Sequence, residues 1–200
     1  MLMETLEQLD QQLFLWLNGH HYPWLDGLML LISEKLFWSP LYALLLFTLY
    51  RRYPARTFWW VLGALALLIL LCDRLSVELF KEVFQRYRPS HNLLIRDRVH
   101  LVTNWDGQLY RGGQFGFLSS HAANHTALVV FYLRVMWPVR RKYVYWLVGW
   151  AALVAYSRIY LGVHYPSDVV AGALFGGSLA FLFTFALLRW AAPFKTRNAA

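Results

Sequence analysis

Leu2, Leu6, Leu9, Leu13 and Trp16 recur at spacings of three and four, opposite Glu4, Glu7 and Gln11. That stripe predicts a short amphipathic helix lying in an interface. Asn18-Gly19 ends it, and His20, His21, Tyr22 and Pro23 form a turn-like break. Beyond residue 23 the stripe gives way to solid apolar runs near the roughly 20 residues needed to cross hydrocarbon. Residues 24–50 form the first, interrupted by Asp26, Glu34, Lys35 and Pro40, so it reads either as one tilted, kinked span or as a short re-entrant piece feeding a span. Residues 58–80, 118–137, 143–161 and 169–190 complete the set. The pattern predicts an all-α, polytopic transmembrane helical bundle of five to six spans. It forms one integral-membrane domain over residues 1–200, with residues 1–23 as the amphipathic N-terminal segment and residues 58–190 as the core of spans and loops.

Composition supports lipid as the main solvent: 58% of residues are hydrophobic and only 15% are charged, which excludes an ordinary soluble domain and a disordered chain. The first ten residues carry Glu4, Glu7 and Asp10 and no basic region, so a cleaved signal peptide is not expected and the mature chain is expected to start here. The single cysteine, Cys72, rules out an intramolecular disulfide or a cysteine metal cluster and reads as a small buried hydrophobe.

The net charge of +8 comes from 19 basic against 11 acidic residues. In a soluble protein this excess suggests nucleic acid; here its placement points to topology instead. Arg51, Arg52 and Arg56 follow the first span, Arg140, Arg141 and Lys142 the third, and Arg189, Lys195 and Arg197 the last. The positive-inside rule puts all three clusters in the cytoplasm. Residues 81–118 and 161–168 then lie on the other side. Five spans put the N-terminal helix on that outer side as well; six require a further crossing before Leu31.

The two outer segments hold most of the polar residues that spanning does not need: Lys81, Arg88, Ser119, Ser120, His121, His125, Ser157, Arg158, His164 and Asp168. Lys81 and Arg88 are seven apart, which on a helix places both cations on one face, there to meet an anion or to snorkel to headgroups. Ser119 reads as an N-cap, and the amides of the helix it starts can hold an anion beside His121. Asp168, next to His164, either accepts Nδ1–H and leaves Nε2 as an exposed nucleophile or base, or serves only as a helix N-terminal acid. His121 and His125, four apart, invite a metal reading with His164 and Asp168. No Glu is inserted as in zinc proteases, however, and Lys81, Arg88 and Arg158 repel a dication. Three cations, a helix start and two histidines suit a phosphate better. His125 reads as a supporting or packing residue.

Lys81-(six residues)-Arg88-Pro89, then Ser119-Ser120-His121, then Ser157-Arg158-(five residues)-His164-(three residues)-Asp168 resembles the three-part pattern of the type 2 phosphatidic acid phosphatase superfamily. The middle block departs from it: the family usually has Pro-Ser-Gly-His, whereas this chain reads Leu118-Ser119-Ser120-His121. The resemblance, over roughly residues 58–190, implies a helical-bundle fold and a membrane lipid phosphatase. It implies His164 as the nucleophile that becomes a phosphohistidine, Asp168 as its orienting partner, and His121 as the acid that protonates the leaving oxygen and then activates water. It further implies that Lys81, Arg88, Ser119, Ser120 and Arg158 bind the phosphoryl oxygens, with no cofactor and no metal. Implied partners are a lipid phosphate substrate and membrane lipids, with no nucleic acid.

A site at the outer ends of spans admits a headgroup while the tails stay in lipid. Family members of this size in bacteria act on undecaprenyl diphosphate, lipid A 1-phosphate, or phosphatidylglycerol phosphate and phosphatidic acid. The expected location is a bacterial inner or plasma membrane, with the site facing the periplasm or cell exterior. Arg96, Arg98 and Arg111 either grip a second phosphate or meet lipid headgroups. Two other classes stay open: a phosphotransferase passing the phosphoryl group to a lipid or sugar acceptor, and a non-catalytic lipid-phosphate transporter. A vanadium haloperoxidase shares the phosphate pocket but is a soluble protein.

Overall fold

The computed structural model describes residues 2–190, without the side chains of residues 2, 3 and 190; the basic residues Lys195 and Arg197 lie outside the described residues. The described residues form seven α-helices: α1 (Leu2–Gly19), α2 (Pro23–Ser33), α3 (Ser39–Arg52), α4 (Ala55–Ser76), α5 (Ser120–Val135), α6 (Arg141–Tyr160) and α7 (Pro166–Trp190). The fold is all-α, as the apolar runs predict. A 3-10 turn, Lys35–Trp38, joins α2 to α3. α4 runs on through a π-helical turn, Val77–Lys81, to Phe84. A long loop of short 3-10 turns then leads to α5.

α5 lies at the centre, against α4, α6 and above all α7. The close approach depends on glycine. A Cβ at Gly172 would collide with the Ser119 carbonyl, one at Gly176 with the Ala123 carbonyl, and one at Gly177 would come 3.3 Å from Thr126 Cγ2. The matched order of these contacts shows that α5 and α7 run parallel, with small residues every fourth position letting the backbones meet. Ala123, Ala127, Phe131, Leu68, Cys72 and Val154 fill the core, so Cys72 is the buried hydrophobe expected.

Two helices are long and apolar enough to cross a membrane, Ala55–Phe84 and Pro166–Arg189, and 22% of each apolar stretch is buried inside the protein. Leu67, Leu70, Leu174, Leu182 and Phe185 face outward. Such surface is stable only against hydrocarbon. Pro23–Ser33 and Lys35–Arg52 make a third candidate when taken as one span bent by 71°, the kinked alternative for residues 24–50. The count of five to six spans is not reached on length and hydropathy. α5 is 16 residues long and largely enclosed by its neighbours, and α6 is flanked by Arg141, Lys142 and Arg158. A helix surrounded by helices does not need the uniform hydropathy of a lipid-facing one.

The stripe on α1 faces away from the protein: Leu6, Leu9, Leu13 and Trp16 are exposed. Its inward face carries Glu7, Asp10, Phe14 and Asn18. Phe14 is fully buried edge-on against Tyr165. Asn18 donates to the carbonyls of His100 and Tyr160 at 3.1 and 2.8 Å and accepts from His100 N at 2.8 Å. The amphipathic helix therefore presents its apolar stripe outward and docks through its polar side.

Candidate active site

α4 delivers Lys81 in its π turn, a geometry that locally shifts side chains off the regular helical register. Gln85 then adopts a left-handed backbone, φ 46°, and the helix stops. Lys81 and Arg88 therefore do not share a helical face. Arg88 lies in extended backbone, as a residue before proline prefers, and reaches the site from the loop.

Arg88 is 8% exposed and donates from Nε to the Phe115 carbonyl at 3.1 Å. Its Nη1 meets the Val163 carbonyl and His164 Nε2, both at 3.3 Å. The loop fits closely around it. A Cβ at Gly112, where φ is +66°, would stand 2.8 Å from Arg88 Nη1, and one at Gly116 would stand 3.1 Å from Arg88 Cγ and 3.2 Å from Asp168 Oδ2. Burial and then the neighbouring Arg158 bring the Arg88 guanidinium down to about 10.

Because a guanidinium only donates, His164 Nε2 must accept from Arg88. The neutral imidazole thus carries its hydrogen on Nδ1, which faces Asp168 Oδ2 at 3.5 Å. Burial, with Arg88, Arg158 and Lys81 nearby, holds His164 well below the usual imidazole range. The same Asp168 oxygen accepts from Tyr165 N at 2.9 Å. The other, Oδ1, takes Arg86 Nη1 at 2.7 Å, and Asp168 is fully buried.

Ser119 caps α5 as predicted, accepting from Ala122 N at 3.4 Å, while its own amide donates to the Asp168 carbonyl at 3.0 Å. Its hydroxyl and amide are thus engaged within the protein, and the next amides, of Ser120 and His121, stand at the open first turn. Ser120 explains how serine replaces the family's glycine. Its Oγ accepts from Lys81 Nζ at 2.7 Å and bonds Ser76 Oγ at 2.7 Å, so the added side chain orients the lysine. His121 faces Arg158 and His164. His125, one turn on, donates from Nδ1 to the His121 carbonyl at 2.8 Å and meets Tyr42 OH at 3.3 Å. Arg158, 3% exposed at the end of α6, donates to the Ser33 hydroxyl and to Tyr110 OH, the latter at 2.7 Å.

The structure thus gathers Lys81, Arg88, Ser120, His121, Arg158, His164 and Asp168 into one largely buried, cationic cluster, with Ser119 just behind it. Among the described residues no group of three or more His, Cys, Asp or Glu is arranged to hold a metal ion.

Sequence reasoning missed Arg86, Ser33, Ser76 and Tyr110. Arg86 had a signal, a third cation inside the Lys81–Arg88 block. Its partner Asp10 lies 76 residues earlier, where no spacing rule reaches.

Comparison with known proteins shows the family. The pattern of the PAP2 superfamily matches residues 57–191, more than half of the chain. The chain is 38% identical over 194 residues to the lipid A 4'-phosphatase of Porphyromonas gingivalis, covering 94% of this chain and 78% of that protein. It is 36% identical to the lipid A 4'-phosphatase of Bacteroides thetaiotaomicron, covering 92% and 79%. The crystal structure of a transmembrane PAP2-type phosphatidylglycerolphosphate phosphatase from Bacillus subtilis shares the fold, with TM-score 0.63 and 24% identity over 90% of this chain and 85% of that one. Aquifex aeolicus LpxE does so with TM-score 0.61 and 23% identity over 87% and 93%.

Proposed function

From the premise that the chain belongs to the PAP2 superfamily and is a membrane lipid phosphatase, we propose that it removes the 4'-phosphate of lipid A through a phosphohistidine on His164. One observation carries the mechanism: His164 Nε2 presents its lone pair toward Arg88 at 3.3 Å, inside the cationic pocket, with Asp168 behind Nδ1. A phosphate entering the pocket takes over the Arg88 contact and places phosphorus before Nε2. Nε2 attacks, the bond from phosphorus to the sugar oxygen breaks, and His121 protonates that oxygen. Water then attacks the phosphohistidine, His121 takes its proton, and inorganic phosphate leaves. Lys81, Arg88, Arg158 and the first-turn amides of α5 stabilise the charge on the equatorial oxygens in both steps, a role that requires no metal. The choice of lipid A rests on the two 4'-phosphatase relatives at 38% and 36% identity, and it narrows the range of lipids that the motifs alone allow.

The distribution of basic residues supports an outer-face location for this site. Arg51, Arg52, Arg56, Arg140, Arg141, Lys142 and Arg189 sit at the opposite ends of the helices, which the positive-inside rule assigns to the cytoplasm. α1 bonds to the site end through Asp10 and Ser167, while α7 leaves from the site toward the other end. Five crossings, by bent α2–α3, α4, α5, α6 and α7, are the reading these helix ends support, beyond the two to three that length and hydropathy give. Exposed Trp24 and Trp105 at the site end, and Trp59, Trp60, Trp137 and Trp146 at the other, fit two interfacial belts.

Inorganic phosphate release from lipid A by detergent-purified protein in EDTA, beside His164→Ala, tests the reading. Release by wild type alone is expected. Substantial release by His164→Ala, or none by either protein, overturns it.

A further inference from the structure

A network of ion pairs beside the proposed phosphate site joins α1 to the carboxylate behind His164. Arg86 Nη1 donates to Asp168 Oδ1 at 2.7 Å and to Ser167 Oγ at 2.8 Å. Its Nη2 reaches Asp10 Oδ2 at 2.7 Å and Glu7 Oε2 at 2.8 Å. The guanidinium lies over the Tyr165 ring, 4.1 Å from its centroid. Asp10 is held in turn, accepting from Ser167 N at 3.0 Å and bonding the Ser167 hydroxyl. Glu7 and Asp10 lie on the inward face of α1, fixed by buried Phe14 and Asn18.

We propose that Asp10 and Arg86 are positioning residues, through which the N-terminal helix sets the strength of the Asp168–His164 pair. The proposal rests on the reading that His164 is the nucleophile. One cation serves three carboxylates here. With the α1 acids removed, Arg86 would give its whole charge to Asp168 and weaken the hold of that carboxylate on the Nδ1 hydrogen of His164. With Asp10 and Glu7 in place, the Arg86 charge is divided, and Asp168 keeps enough negative potential to polarise the imidazole. Burial amplifies the effect, since side-chain exposure is 0% for Asp168, 11% for Asp10 and 18% for Arg86.

The other charged or titratable groups facing His164 are Arg88 from the loop, Arg158 from α6, Lys81 from α4 and His121 from α5. None of them touches Asp10, so a change there reaches Asp168, and through it His164, by way of Arg86 and of Ser167, whose amide and hydroxyl Asp10 also holds.

Asp10→Asn is the test: the amide keeps the size and the acceptor for Ser167 N, but its NH₂ replaces the oxygen that accepts from Arg86 and the Ser167 hydroxyl, so the charge and the Arg86 contact are lost together. Expected are a fall in kcat on the order of tenfold, the factor equivalent to one pKa unit, an unchanged KM for lipid A, and an acid limb of kcat/KM moved to lower pH. Asp10→Glu should restore the profile. Glu7→Gln should move it the same way by less, since Glu7 is 42% exposed, and it serves as the second variant if Asp10→Asn does not fold. An unmoved acid limb in a folded Asp10→Asn or Glu7→Gln protein overturns the proposal, as does a loss confined to KM or to folded yield. Run beside His164→Ala, the outcomes separate: an active His164→Ala overturns both the phosphohistidine reading and this one, whereas an inactive His164→Ala with an unmoved α1-variant profile overturns this one alone.

Discussion

His164 Nδ1 stands 3.5 Å from Asp168 Oδ2, while the other oxygen of that carboxylate is held at 2.7 Å by Arg86. With the Tyr165 amide at 2.9 Å on Oδ2, the carboxylate has three cationic or polar claimants, and the histidine is the loosest of them. An imidazole with its hydrogen on Nδ1 and its Nε2 lone pair aimed at clustered cations has the tautomer that the proposed nucleophile needs.

Protonation of His164 is opposed by burial and by Arg88, Arg158 and Lys81. In the free enzyme its acid limb should therefore lie below the ordinary histidine value of about 6.5. Activity rises with pH through the lowered value and is lost beneath it. A kcat/KM profile, corrected for ionisation of the substrate phosphate, checks this. A limb at or above about 6.5 that moves with His164 contradicts it.

Arg88 uses its planar fork for Phe115 O, Val163 O and His164 Nε2 at once. Lysine retains the charge but not that geometry. Arg88→Lys should lower kcat by about 10²–10³, the scale of removing one transition-state donor. Full activity in steady-state assays would show that charge alone suffices.

Ser120→Gly restores the glycine usual in the family and removes the Lys81 acceptor. A hydrogen bond from a charged group contributes about 1.5 kcal/mol, so kcat/KM should fall roughly tenfold with the folded protein intact. An unchanged value would mean that Lys81 is positioned by other contacts.

Gly176→Val should fail differently. The added side chain meets the Ala123 backbone, which cannot rotate away, so α5 and α7 must part. A thermal melt in detergent should drop strongly, whereas a melt close to wild type would contradict the parallel packing described.

The reach of sequence reasoning follows from distance along the chain. Lys81, Arg88, His121, Arg158, His164 and Asp168 were legible because each block carries its chemistry within a dozen residues. The helix stop at Gln85 was not, since no proline or glycine marks it, and so Arg88 was placed on a helical face it does not share with Lys81. The leucine stripe of α1 was legible and is exposed, but the docking of the opposite face, through Asp10, Phe14 and Asn18, was not, because its partners lie far along the chain. The GxxxG spacing of Gly172 and Gly176 was present as a signal for close helix packing. Only the contact with Ser119 and Ala123 shows which helix it meets.

The central claim is tested most directly by trapping the intermediate. Enzyme mixed with lipid A labelled with ³²P at the 4' position and quenched in alkali should carry label on a base-stable, acid-labile phosphohistidine. The label should map to His164, form and decay more slowly in His121→Ala, which lacks the proton donor and acceptor of both steps, and be absent from His164→Ala. Phosphate release with no protein-bound label in rapid-quench samples of wild type and His121→Ala, or label on another residue, would contradict the account.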